Sequence, residues 1–188
     1  MPGRPRDAGR DVVIFDATLK LLIDVGYDRL SIEAVAAAAG VGKATIYRRY
    51  PGKAALVAAA VDDRAGGTPP DPSAGDLRGA LLETANWLAR EIAEQEVGLL
   101  GALFAGMRGD PDLAAAMRRI LHRDQAAMTR RPREGGLLDA RGAALFAEIV
   151  PAMLVHRLVV AGEPCDEPFV EHLVDDILLP LLKGESPR

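Results

Sequence analysis

Apolar residues recur at helical spacing along most of the chain, and no stretch reads convincingly as a strand. Ile14, Ala17, Leu21 and Leu22 make one stripe of a first helix, predicted over 11–25 and capped by Gly26. Ser31 is a suitable N-cap for a second helix over 32–39, with Ile32, Val35 and Ala36 facing inward. Gly40-Val41-Gly42 follows as a tight turn with Val41 as a buried plug. It leads into about eight residues of helical pattern that place Ile46 and Tyr50 on one stripe. Pro51-Gly52 opens a fourth helix to about residue 64, with Ala55, Leu56, Ala59 and Ala60 inward.

The segment 65–75 is rich in Gly and Pro and reads as a linker. A long amphipathic helix is predicted over 76–95 through Leu77, Leu81, Leu88 and Ile92. Residues 97–107 are apolar almost all round, the pattern of a buried helix, and are broken by Gly98, Gly101 and Gly106. Close packing and mobility explain those glycines equally well. Asp110-Pro111 starts another helix to about residue 129, and 130–136 reads as a polar loop. A helix over 140–161, kinked by Pro151, and a last one over 166–182, capped by Asp166, complete the chain. The predicted fold is all-α, divided into a domain over 1–64 and a second over 76–188.

Composition agrees with that fold class. Of the 188 residues, 49% are hydrophobic but only 4% are aromatic, and Ala and Leu dominate. The single cysteine, Cys165, excludes an intrachain disulfide and fits a reducing compartment. No apolar run is read as reaching the length of a membrane span, and no signal-peptide pattern follows the charged N-terminus, so a cytoplasmic location is expected.

Charge changes the picture more. The chain is net −4, yet residues 1–64 carry ten Lys/Arg against eight Asp/Glu. Lys43, Arg48, Arg49 and Lys53 fall close together, interleaved with Tyr47 and Tyr50, and no carboxylate lies between Glu33 and Asp62. A basic cluster on the second of two short helices joined by a glycine turn is the pattern of a helix-turn-helix that enters a DNA major groove. Lys43 or Arg48 could donate to guanine O6 and N7, and Ala44 could meet a thymine methyl. Tyr47, Arg49 and Lys53 would then hold phosphates, which position the protein without reading sequence. The basic arm 1–10, with Arg4 and Arg6, could reach a minor groove or phosphates.

The run GYDRLSIEAVAAAAGVGKATIYRRYPGKAALV resembles the N-terminal domain of the TetR family of transcriptional regulators. The resemblance is carried by Gly26-Tyr27, Ser31, Ala36, Ala39-Gly40-Val41, Thr45-Ile46-Tyr47, Tyr50, Lys53 and Leu56. It implies a homodimer on inverted-repeat DNA, with Lys43, Ala44, Thr45 and Arg48 facing bases and Ser31, Tyr47, Arg49 and Lys53 facing phosphates. The chain departs from the pattern at three places. Gly42 stands where a capping Ser or Thr is common, Tyr50 where Phe is commoner, and Ala54-Ala55 where an acidic residue is usual. Asp110-Pro111-Asp112-Leu113, His156-Arg157-Leu158, Gly162-Glu163-Pro164 and Leu179-Pro180 more loosely resemble C-terminal domains of the same family. That resemblance implies dimerisation through the helices at about 140–161 and 166–182, and an effector cavity among the earlier ones.

Candidate apolar residues for such a cavity are Trp87, Phe104, Met107, Met117, Met128, Phe146 and Met153. Asn86, His122, Gln125 and His156 are the polar residues that could orient a small, largely apolar ligand. The three histidines lie on separate helices without metal spacing, and neither a phosphate-binding loop nor a nucleophile motif is present, so no metal, cofactor or catalytic residue is expected. The expectation is therefore a ligand-responsive repressor. The alternatives are a regulator or activator that acts without ligand, and a helical ligand carrier or enzyme that has lost DNA binding.

Overall fold

The computed structural model describes residues 8–64, 69, 75–94 and 97–183. Among them all regular structure is helical. The helices are α1 (Ala8–Arg29), α2 (Ile32–Ala38), α3 (Lys43–Tyr47), α4 (Lys53–Arg64), α5 (Leu77–Ala93), α6 (Val97–Gly109), α7 (Pro111–Glu134) and α8 (Ala140–Val155). A π-helical segment, His156–Ala161, continues α8. Then come α9 (Glu167–His172), a second π-helical segment (Leu173–Leu178) and α10 (Leu179–Lys183). Most of the expected linker, and the arm with Arg4 and Arg6, lie outside the described residues.

The chain packs as two compact units. Unit 1 joins the residues up to Gly66 with Gly98–Ile120, and unit 2 holds Gly67–Val97 with Leu121 onward. A single cut at the Gly/Pro-rich segment does not reproduce this packing, because α6 and the start of α7 share the core of unit 1. In that core Ile14, Leu22, Val35, Ile46, Leu56 and Leu113 are fully buried. Gly26, at φ 77, breaks α1 after Val25 where the first helix was expected to end. Thr18, also fully buried, returns its hydroxyl to the Ile14 carbonyl at 2.7 Å, so no donor is stranded.

Gly106 shows why α6 needs a glycine. A Cβ there would lie 2.6 Å from Tyr27 Cγ and 2.8 Å from Tyr27 Cβ, so the helix reaches this position only because nothing projects from it. Gly98 is similarly tight, 3.2 Å from Ile23 Cγ2, whereas Gly101 faces open space. Tyr27 is fixed from two further directions. Its hydroxyl donates to Asp110 Oδ2 at 2.5 Å, and its carbonyl accepts from Lys53 Nζ at 2.8 Å. Asp110 in turn accepts from the Asp112 and Leu113 amides at the start of α7. Burial, followed by the Asp110 carboxylate, pushes the Tyr27 hydroxyl far above its ordinary range. The same hydrogen bond holds Asp110 below the ordinary carboxylate value.

Unit 2 has a plainer core of Leu81, Phe146, Val150, Leu154, Val170, Leu173, Val174 and Leu178. Polar ties sit at its rim. Arg78 makes two 2.7 Å bonds to Asp175. Arg157 lies 4.3 Å over the Phe169 ring and bonds the Pro164 carbonyl at 2.7 Å and Glu163 at 2.8 Å. Cys165 is half-buried, donates to the Leu154 carbonyl at 3.5 Å and is pushed up by burial, all of which lower thiolate reactivity.

Four expectations need correction. Val41 is half-buried rather than sealed in. Helix α6 is not covered all round, since Val97 and Phe104 are each 47% exposed. The predicted loop at 130–136 is helical to Glu134, with Pro132 inside α7. A proline removes one donor but keeps its carbonyl, and Pro132 O accepts from the Leu137 and Leu138 amides beyond the helix end. Finally, the 22 residues Ala140–Ala161 form a helix long and apolar enough, by length and composition, to cross a membrane. Glu148 and Arg157 interrupt the run in the sequence but do not change that balance.

Candidate nucleic-acid interface

Ser31 has extended backbone, and its Oγ accepts from the Ala34 amide at 3.1 Å, which starts α2. The hydroxyl proton remains able to donate outward. Gly40, at φ 64, turns the chain in the left-handed region. Gly42 then begins α3 without a side-chain cap, as its lack of a hydroxyl dictates. The regular part of α3 is five residues long, shorter than the eight predicted, because the chain turns at Arg48 and Arg49. Ile46 is its one fully buried side chain. Lys43, Ala44, Tyr47 and Arg48 are exposed and Thr45 is half-buried.

The cations are less free than the sequence suggests. Lys43 pairs with Glu33 on α2 and lies 5.7 Å from the Tyr47 ring. This pair holds the Glu33 carboxyl below its ordinary range and raises the Lys43 amine. Arg49 is turned inward onto Asp11 of α1, with 26% of its side chain exposed. The Tyr50 hydroxyl donates to the same Asp11 at 3.3 Å, and its ring lies 5.8 Å from Phe15. Tyr50's extra hydroxyl therefore has a partner. Burial, and next Asp11, raise its pKa. Lys53 serves the Tyr27 carbonyl and stacks 4.2 Å over the Tyr27 ring. In this conformation Arg49 and Lys53 brace the domain rather than reach outward. Sequence reading missed Asp11, Glu33 and Tyr27 as partners, because they lie outside the basic run and return to it only in the fold.

The candidate effector residues are divided. Phe104, Met107 and Met117 belong to unit 1, and the other eight to unit 2. Met117 and Phe146 are core residues, Met128 is buried, and Phe104, His122 and His156 are exposed. Gln125 donates to the Ala147 carbonyl at 3.0 Å, so its amide joins α7 to α8. Asn86, Trp87, Met107 and Met153 are half-buried.

A short helix presenting Lys43, Ala44, Tyr47 and Arg48 above a buried Ile46, after a glycine turn and a capped helix, defines a helix-turn-helix DNA-binding protein. Comparison with known proteins agrees. Residues 14–60 match the family described as bacterial regulatory proteins, tetR family, and residues 70–177 match the tetracyclin repressor-like C-terminal domain. The chain is 34% identical to the DNA-binding transcriptional repressor TetR of Mycobacteroides abscessus, covering 95% of this chain and 96% of that one. It is 32% identical to an HTH-type transcriptional regulator of Mycobacterium tuberculosis, covering 95% and 93%. Among solved structures it is similar to the flavonoid-responsive regulator FrrA, at 25% identity, 96% and 99% coverage and a TM-score of 0.69. The chain belongs to the TetR family; it is a DNA-binding transcriptional regulator and not an enzyme. Members of the family typically form homodimers and are typically cytoplasmic.

Proposed function

We propose that the protein is a homodimeric repressor that binds an inverted-repeat operator and leaves it when a small, largely apolar ligand binds the C-terminal half. The outward face of α3 carries this reading. Lys43, Ala44, Thr45 and Arg48 read base edges, while Ser31 and Tyr47 hold phosphates beside them. Arg49 and Lys53 join the phosphate contacts only by giving up Asp11 and Tyr27. The name of the M. abscessus relative supports repression, and that of FrrA supports an aromatic effector.

The dimer forms through 140–161 and 166–182. Ala144, Ala152 and Val160 are exposed, with Leu145, Val155, Leu158 and Val159 half-buried, so the first of these helices leaves a largely apolar surface that carries the exposed Glu148 between Ala144 and Ala152. A ligand shifts the protein off DNA only by the difference in its affinity for the two conformations. The glycine-broken α6 helix is the candidate mobile element. Its open position Gly101 supports this reading, whereas Gly106 against Tyr27 and Gly98 against Ile23 are closely packed on either side of it.

The test is selection of bound duplexes from a random pool by the purified protein near physiological salt. An enriched inverted repeat is the expected outcome. Enrichment of single, unpaired half-sites would overturn the dimeric reading, and no enrichment with or without candidate aromatic ligands would overturn operator binding.

A further inference from the structure

We infer that Glu33 is a specificity-determining residue of the DNA interface, acting with Lys43 as one donor–acceptor couple that reads a guanine and a cytosine. The inference rests on the operator-binding reading above. Glu33 stands on α2 and Lys43 on α3, and their ion pair joins the two helices on the surface that carries Ala44, Tyr47 and Arg48. More than half of each side chain is exposed, 56% and 54%, so both are accessible to a partner arriving on that face.

A lone lysine at the start of a recognition helix is a point charge, and it goes to a phosphate as readily as to a base. Here its charge is already compensated. Approach to a phosphate brings Glu33 toward the same negative charge, which is repulsive, so the couple is a poor phosphate binder. The major-groove edge suits it better. Guanine offers two acceptors, O6 and N7, for the ammonium, and cytosine offers the N4 amino donor that a carboxylate accepts. A neutral couple also adds nothing to counterion release, so it contributes selectivity without raising affinity for unrelated DNA.

The experiment uses the full-length protein, the inverted-repeat duplex that it enriches from a random pool, the single-base-pair variants of that duplex, and an unrelated duplex. Glu33→Gln keeps the size of the side chain and removes its charge. The expected result has three parts. Binding to the unrelated duplex tightens, the salt slope steepens by about one unit, and discrimination at one or two adjacent positions of each half-site falls by about tenfold. Combining Glu33→Gln with Lys43→Gln should lose little further discrimination at those positions, because residues read as a couple are not additive. If Glu33→Gln strengthens binding to every duplex alike and leaves base preference unchanged, Glu33 is only a surface charge and the inference fails. A wild-type protein that selects no sequence overturns the operator reading itself, which is a separate outcome.

Discussion

The two compact units weight their polar ties differently, although both bury threonines bonded to their own helix carbonyls, Thr18 in unit 1 and Thr84 and Thr129 in unit 2. In unit 1 several long-range ties run against the core: Tyr27 to Asp110, Lys53 to Tyr27, and Arg49 with Tyr50 to Asp11. In unit 2 the core is aliphatic with one phenylalanine, and the ion pairs Arg78–Asp175 and Arg157–Glu163 sit at its rim. Interior hydrogen bonds are directional and fix geometry, whereas an aliphatic core tolerates repacking. A reading head that must place side chains against base edges needs the first kind of construction. The unit proposed to dimerise and to adapt to a ligand can use the second.

The largest expected effect breaks the comparison from the side of unit 2. Ala152→Asp with Val160→Asp puts two further charges on the largely apolar surface of the helix over 140–161, at exposed positions, the first of them one turn from Glu148. Sedimentation should show the mass fall from dimer to monomer while helicity is kept. An unchanged mass would place the dimer contact elsewhere.

In unit 1, Gly106→Ala should destabilise by about 1–3 kcal/mol through overpacking against Tyr27, although alanine otherwise gains about 1 kcal/mol over glycine within a helix. Gly101→Ala, facing open space, should move stability the other way, so a urea titration of the pair separates packing from propensity. Next, Arg49→Ala should lower stability by about 1–2 kcal/mol, since it removes the ion pair and leaves the half-buried Asp11 only the Tyr50 hydroxyl. It should leave base preference and salt slope little changed. A salt slope flattened by a full unit without loss of stability would return Arg49 to the phosphate contacts.

The smallest effect is Tyr27→Phe, about 1–2 kcal/mol for one hydrogen bond to a carboxylate, and its pH dependence sharpens the assignment. Asp110 is depressed in the folded state, so its contribution is complete above its ordinary value of 3.8 and is lost as pH falls below it. Tyr27 is raised, so its contribution is complete below its ordinary value of 10.0 and is lost as pH rises beyond it. Unfolding curves of the wild-type and Tyr27→Phe proteins should therefore differ most between those limits, with the wild-type advantage shrinking on the acid side and shrinking and then reversing on the alkaline side.

Much of unit 1 was legible in the sequence because its signals are local. Ser31 caps within three residues, Gly26 and Gly40 take positive φ as glycines can, and Ile46 falls on the helical stripe. The pairing of its cations was not legible. Asp11 lies 38 residues from Arg49, and a charge cluster counted along the chain cannot show which carboxylates return to it. The reading of α6 failed differently. Its composition is that of a fully covered helix, but apolar character does not say whether a surface is covered by its own unit, and Phe104 is not. The segment 130–136 reads as a polar loop in the sequence, and Pro132 lies within it. The helix runs through it because one missing donor is a local loss, and the carbonyl still finds two partners.

The placement of the aromatic residues makes the two units separately observable. All three tyrosines, Tyr27, Tyr47 and Tyr50, fall in unit 1, and the single tryptophan, Trp87, falls in unit 2. Indole emission therefore follows one unit, and tyrosinate absorbance after an alkaline jump follows the other. Tyr27 is 4% exposed and holds its proton against a carboxylate, so its ionisation waits for that corner to open. Its absorbance is thus a built-in clock for the loosening of the DNA-reading end, read in unlabelled protein alongside a tryptophan signal from the other end.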